Sequence, residues 1–590
     1  MENLSDPKSG PTSETPVSRF RPLRIWIPLL LLLAMAVARF IPDWVQNAPS
    51  WIWMVSAFGP LLIGLVVVLW WLLVSRARWY ERLLGVAGIV GAVAIEQVIC
   101  DPSMRGPLLM VMTIPMAIAA FAIGAILYHR TLSSRRTWIA VALAFLAASV
   151  SALLKTDGVW GDFSFGLDWR WNASSEDRLL ASRSASGKSV DAASIDTAAF
   201  RNPEWPGFRG ANGDGTQRGK AFSSDWTARP PKELWRIPVG PAWSSFAIAG
   251  DYLFTQEQRG EQESVVCYDT NTGKQLWEHG EASRFFEALG GLGPRATPAI
   301  AGGFIYALGA EGWLMKIDAA NGELAWKIDL KKEADREPPM WGFSSSPCVH
   351  DGLVIVHAGS KGDKGVLAFR AEDGKLAWSA SAGEMSYGSV QPVQVFGKTY
   401  LALLSDTGAH FWKPDTGETG LEYDWKHQGY RALQPRILEG NQLLIPTGLG
   451  SGTRLVQLKE VDGKLEGEEV WTSINLKPDF NDLIVHDGYA YGFDNAIFTC
   501  IDLKDGARKW KGGRYQKGQA MLLADSGLIV VVSEPGELVL LRATPESLQE
   551  IYKAPAMNGK TWNHPAVVGD KLYLRNGEEA VCYELPPVKN

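Results

Sequence analysis

VCYDTNTGKQLW, residues 266–277, decides the fold of this 590-residue chain. Its last nine residues return as DAANGELAW (318–326), RAEDGKLAW (370–378) and DLKDGARKW (502–510). Weaker copies are PDTGETGLEYDW (414–425) and DGKLEGEEVW (462–471); ESLQEIY closes on Tyr552 and PKELW supplies Trp235. The closing aromatics at 235, 277, 326, 378, 425, 471, 510 and 552 stand 39–52 residues apart. A period of about 40–50 residues, built from short alternating strands, marks four-stranded propeller blades. Strands like VVCYD begin near 265, 314, 366, 409, 454, 497, 537 and 580. The last, AVCYEL, has no Trp strand after it, and ELWRIPV (233–239) is a Trp strand with nothing before it. The early strand therefore completes the last blade. The expectation is an all-β, eight-bladed ring with no open sheet edge.

Within each copy the spacing has a mechanical reading. Asp ends a strand and caps the turn, Gly four residues on supplies a left-handed conformation, and the returning Trp packs on the neighbouring blade. Gly273 with Trp277, Gly322 with Trp326, Gly374 with Trp378 and Gly506 with Trp510 are the best copies. The job requires no base, nucleophile or metal ligand. Cys267, Cys500 and Cys582 occupy matched places, each two residues before an acid. Equivalent positions of different blades do not meet, so they read as small buried residues rather than disulfide partners. None of the five cysteines forms C-x-x-C, which argues against a zinc site, a thioredoxin-type pair and an attached haem.

The N-terminal quarter reads differently. Apolar runs at about 25–41, 52–74, 83–99, 107–128 and 137–154 each approach the length of a membrane-crossing helix. Lys8, Arg19, Arg21, Arg24, Arg76, Arg78, Arg82, Arg130, Arg135 and Arg136 lie on one side of the runs; only Arg39, Arg105 and Lys155 lie on the other. That bias places the N-terminus in the cytoplasm and the chain after 155 outside. Trp26, Trp44, Trp51, Trp79 and Trp138 fall near run ends, as interfacial anchors do. The first run has a second reading as a cleavable leader, from AMA at 34–36. Glu96, inside the third run, reads either as a functional acid or as a helix-end residue reaching the interface beside Gln97. The expected organisation is a cytoplasmic tail (1–24), a five-helix transmembrane domain (25–155), a short helix and flexible linker (156–204) and a propeller (205–590). DWRWNASSEDRLL holds the short helix, and the small polar stretch after it is a tether. Asn172-Ala-Ser174 is a weak glycosylation match. The expectation is a multi-pass protein of the cytoplasmic (inner) membrane with its propeller in the periplasm or outside. Its net charge of −6 points away from nucleic acid, leaving the bilayer and envelope proteins as partners.

A site on such a scaffold belongs at the strand starts, on the face away from the Gly turns. Aligned there, one column reads Ser245, Thr297, Ser346, Gln391, Gln434, Asp482, Met521 and His564. Two residues earlier stand Trp243, Arg295, Ser344, Ser389, Ala432, Phe480, Gln519 and Trp562, on the same strand face. Trp243, Arg295, Trp341, Tyr387, Gln391, Arg431, Gln434, Asp482, Trp562 and His564 are the candidates for a ligand or partner funnel. The competing reading is that the polar column satisfies strand-start backbone groups around the channel. Asp482 and His564 are two blades apart, too far for a catalytic pair. GLGSG (448–452) lies among strands and is not a phosphate loop.

These repeats resemble the quinoprotein-type family, whose members carry pyrroloquinoline quinone (PQQ) repeats on an eight-bladed propeller. The resemblance covers about 201–590, and WPGFRGANGDG (205–215) is similar to the lead-in segment of its bacterial members. It implies two functions. The propeller of the outer-membrane assembly machinery binds proteins without a cofactor. Quinoprotein dehydrogenases oxidise alcohols or sugars with PQQ and calcium, and the membrane-bound glucose dehydrogenase also places five helices before its propeller. For the second function Arg295 and Arg431 would face the PQQ carboxylates, with Glu384, Asn481, Asp482 and Asn563 as available oxygens. They form no compact cluster, and the adjacent-cysteine pair of the methanol-type enzymes is missing. The reading is therefore a binding scaffold with no catalytic residue, metal or cofactor. The alternative is a PQQ- and calcium-dependent membrane dehydrogenase.

Overall fold

A computed structural model describes residues 22–45, 50–131, 133–161, 164–186 and 195–588. Lys8, Arg19 and Arg21 of the basic tally, and 187–194 of the tether, lie outside the described residues. The chain divides into two compact units, Met1–Thr156 with Leu167–Arg170, and Asp157–Gly166 with Trp171–Asn590.

The first unit is helical: α1 (Trp26–Trp44), α2 (Ser50–Leu73), α3 (Trp79–Ile99), α4 (Ile114–Leu127, continuing a π turn Leu109–Thr113) and α5 (Ser133–Ala152). Among the described residues four stretches are long and apolar enough to cross a membrane: Trp51–Leu73, Trp79–Ile99, Leu109–Leu127 and Ser134–Ala152. Trp26–Pro42 is a shorter apolar helix. Glycine lets the helices approach closely. A Cβ at Gly85 would lie 2.7 Å from the Phe121 ring and collide with Trp71, and one at Gly124 would lie 2.8 Å from the Ala140 backbone. α3 and α5 start earlier than the apolar runs because their polar first turns are paired. Arg136 holds Glu81 through two bonds of 2.9 and 3.0 Å, and Thr137 adds a third at 3.1 Å. Arg136, counted above among loop cations, is thus an internal counter-ion. Glu96 is buried among the helices and accepts from Gln97 Nε2 at 3.3 Å; it does not reach out as a helix-end residue would.

The second unit is the eight-bladed propeller. Blades 1 to 6 are antiparallel sheets of four consecutive strands, spanning 247–282, 299–329, 348–380, 391–424, 436–473 and 484–514. Blade 7 (519–555) gains Thr216–Gln217 as a parallel fifth strand on its first strand. Blade 8 (566–584) takes Lys232–Pro238 as its outer strand, with Trp235 opposite Cys582, and so closes the ring as expected. First strands of neighbouring blades touch, so they form the inner wall.

The repeat works as its spacing implied. Asp269 Oδ1 accepts from the amides of Asn271 and Thr272, and Gly273 has φ +71°. At five junctions the Trp of one blade lies over the motif glycine of the next: Trp235 over Gly273, Trp277 over Gly322, Trp326 over Gly374, Trp378 over Gly417 and Trp471 over Gly506. A Cβ at Gly322 would sit 2.7 Å from the Trp277 ring, and one at Gly374 3.1 Å from Trp326. The indole N–H donates to the same turn: Trp235 to Thr270 O, Trp277 to Ala319 O, Trp326 to Ala371 O, Trp378 to Pro414 O, Trp471 to Leu503 O and Trp510 to Thr544 O, at 2.8–3.1 Å. Cys267 and Cys500 face Trp277 and Trp510 across the strand pair, and all five cysteines are buried and free. One copy departs from expectation. In blade 4 the motif glycine is Gly417, under Trp378, and the Trp position four residues on is Leu421. Trp425 lies beyond that strand, stacked with Arg454. Seeking a Trp in the degenerate copy shifted the alignment by four residues.

Candidate functional site

Strand pairing sets the true register at the strand starts. Four residues before the last paired residue of each inner strand stand Ser245, Thr297, Ser346, Gln391, Gln434, Asp482, Gln519 and His564. Blade 7 is the correction: its first turn carries a 3₁₀ segment, Ala524–Ser526, two residues longer than the aligned sequence allowed. Gln519 replaces Met521, which packs in the apolar core, and Lys517 takes the earlier column. All eight members of the column are polar and buried.

Their partners are mostly the next blade. Ser245 N donates to Thr297 Oγ1, Thr297 N to Ser346 Oγ and Ser346 N to Ser389 Oγ, each at 2.9 Å. Gln391 Nε2 donates to Pro435 O at 2.5 Å, and Gln434 N to Asp482 Oδ1 at 2.9 Å. Asn481 Nδ2 donates to Gly518 O at 2.5 Å and Gln519 Nε2 to Trp562 O at 2.9 Å. Asn563 Nδ2 reaches Ala242 O and Ser244 O at 3.1 and 2.7 Å, and Ser245 Oγ returns to His564 O at 2.6 Å. Every junction of the ring is bridged. The column is an inner belt that satisfies strand-start backbone groups.

The lead-in segment inserts into this belt. Trp205 pairs with Ile248 of blade 1, Pro206 O accepts from Ile300 N of blade 2, and Gly215 O accepts from Leu522 N of blade 7. Phe208 meets the His564 ring edge-on at 4.9 Å. Arg209, left-handed at φ +61°, donates to Leu483 O and lies 3.8 Å from Asp482 Oδ2. Asp214 pairs with Arg218 at 2.7 Å and Arg436 at 3.4 Å. Burial raises the Asp482 carboxyl above the ordinary range, with Arg209 pulling the other way. Burial also pushes His564 well below the ordinary imidazole range. Sequence reasoning missed Arg209, Asp214 and Arg436; the available signal was a lone arginine between glycines in WPGFRGANGDG.

The remaining candidates stand on the rim in two sectors. In one, Trp243 and Trp562 lie 4.8 Å apart with Lys560 over both rings, and Trp562 Nε1 donates to Glu534. Burial brings the Lys560 ammonium down to about 8. In the other, Tyr430 gathers Trp341 at 4.5 Å and Tyr387 at 5.6 Å, and donates to Asp479. The two arginines are committed elsewhere. Arg295 donates to three carbonyls, of Gly291, Leu292 and Gly293, and to Glu287. Arg431 donates to Thr447 Oγ1, Ser405 O and Trp425 O. Burial lowers both guanidiniums to about 10.

A profile of the family described as outer membrane protein assembly factor BamB matches residues 227–331 and 261–512. The propeller is PQQ-like. BamB of Yersinia pestis is 22% identical to the chain over 367 residues, 58% of this chain and 76% of its own length. BamB of Xanthomonas campestris pv. campestris is 32% identical over 106 residues, 18% of this chain and 24% of its own length. Among solved structures, BamB from Moraxella catarrhalis has a TM-score of 0.42 at 14% identity, covering 61% of this chain and 99% of that one. Quinohemoprotein alcohol dehydrogenase ADHIIG from Pseudomonas putida HK5 has 0.47 at 14%, covering 68% and 83%. At those scores neither structure bears on function.

The mouth of the PQQ-like propeller does not fit PQQ with calcium as it stands. The cations are bonded to carbonyls and Glu384 is an exposed loop residue; Asn481 and Asn563 spend their Nδ2 atoms in the belt, and their unpartnered Oδ1 atoms belong to blades 6 and 8, two blades apart. Among the described residues no three His, Cys, Asp or Glu side chains are grouped to hold a metal. No oxidation step is derived from this geometry.

Proposed function

We propose that the protein is a membrane-anchored scaffold whose propeller docks an envelope protein on its strand-start face. The tail (1–24), helices (25–155), linker (156–204) and propeller (205–590) are assigned the cytoplasm, the inner membrane, the crossing and the periplasm in that order. One observation carries the reading: an apolar rim remains exposed on the face whose polar column is spent on the fold. Met340, Leu449 and Ile474 are 61%, 55% and 66% exposed. They stand beside the Trp341–Tyr387–Tyr430 cluster, with Leu449 Cδ1 against Gly429 and the Ile474 backbone against Gly452. Clustered apolar side chains of this size on a rigid ring mark a protein contact, and Trp and Tyr commonly anchor one. Relatives named outer membrane protein assembly factors support the same role.

Photocrosslinking in cells tests it. A photoreactive residue at Leu449 or Ile474 should give a discrete envelope-protein adduct that Trp341→Ala weakens. One at Asn271, on the Gly-turn face, should not. Equal adducts from both faces, or none from the rim, would contradict the proposal.

A further inference from the structure

The residues that follow α5 include DGVWG (157–161), and this short strap lies in a groove of the other rim sector. One edge of it pairs with Phe165–Trp169, and Trp160 N donates to Ser164 O at 2.9 Å; its other contacts include propeller groups. Val159 N donates to Leu289 O at 2.9 Å, and Gly161 N donates to Glu534 Oε1 at 2.6 Å. Lys560 Nζ donates to Asp157 O at 3.3 Å and to Val159 O at 3.2 Å. Those are its hydrogen bonds among the described residues, although the side chain is only 5% exposed and lies between two tryptophans. A buried ammonium needs acceptors, and here the strap supplies them. The fit excludes side chains. A Cβ on Gly158, at φ +110°, would lie 2.7 Å from Leu289 O, and one on Gly291 in the opposite wall would lie 2.8 Å from Asp157 O.

We infer that this groove is a receptor for an extended, glycine-bearing peptide segment, and that residues 157–161 fill it in cis. Lys560 clamps the carbonyls, Leu289 O and Glu534 take the amides, and Trp243 and Trp562 wall the slot. An external segment of the same kind competes with the strap. Only that last clause rests on the scaffold reading, since the groove is tested without any envelope protein.

Full-length protein in detergent is examined by hydrogen–deuterium exchange and by anisotropy of a fluorescein-labelled peptide of residues 155–161. In the wild type, amides 159 and 161 should exchange at least roughly tenfold slower than free chain, and the peptide should not bind. Gly158→Val should lose that protection and bind the peptide saturably. Adding Lys560→Met should abolish the binding, and Lys560→Met alone should speed exchange at Val159. Unprotected strap amides in the wild type would overturn the inference. So would unchanged exchange in Lys560→Met, or a folded Gly158→Val protein that ignores the peptide.

Discussion

The two ends of each blade solve one problem with different chemistry. At the turn end of five junctions, a Trp ring presses on the next blade's glycine and its N–H caps that turn. At the strand-start end, hydroxyls, amides and a carboxylate pass hydrogen bonds from blade to blade. The first joint is one residue pair repeated; the second is a relay in which each junction uses whatever polar group reaches. An apolar joint demands one shape, so its sequence repeats. A polar joint demands only a donor opposite an acceptor, so its sequence drifts.

Removing one member of each belt should separate them. The largest loss is expected from Trp277→Ala, about 3–5 kcal/mol, because a buried ring leaves a gap over Gly322; urea unfolding reads it. Acid should come next. Burial holds His357 and His410 down to about 4 and His564 well below the ordinary imidazole range. The unfolded chain takes those protons near 6.5, so stability is lost as pH falls from about 6.5 towards 4, on the order of 1 kcal/mol per pH unit for each imidazole. Unfolding midpoints across that range check the slope, which His357→Gln should flatten. Asn563→Ala should cost about 1–3 kcal/mol, since it strips the carbonyls of Ala242 and Ser244 of a donor at the ring closure. Ser346→Ala should cost least, about 0.5–1.5 kcal/mol, since the Thr297 amide loses a single acceptor. If Ser346→Ala matched Trp277→Ala, the two belts would not differ as described.

The contrast also explains what the sequence disclosed. Blade number, closure by residues 233–239 and the stapling by Trp277 were legible, because each depends on a motif. Leu421 and Gln519 were misread where a blade dropped its Trp or lengthened a turn by two residues. The helix starts at Trp79 and Ser133 were hidden because hydropathy cannot see that Glu81 and Arg136 neutralise each other. At the candidate site, residue types were found but not their commitments. Nothing in the order of residues tells that Arg295 spends its donors on Gly291, Leu292 and Gly293, or that Lys560 is turned onto Val159.

The central claim is that the strand-start groups hold the ring together and leave the rim to a protein. Titrating the purified chain with PQQ in calcium, read by intrinsic tryptophan fluorescence against a Trp243→Phe/Trp562→Phe control, tests it most directly. The account predicts no saturable change at micromolar PQQ and no dye reduction with alcohols or sugars. A saturable quench, lost in Arg295→Ala and Asp482→Ala variants that still fold, would contradict it.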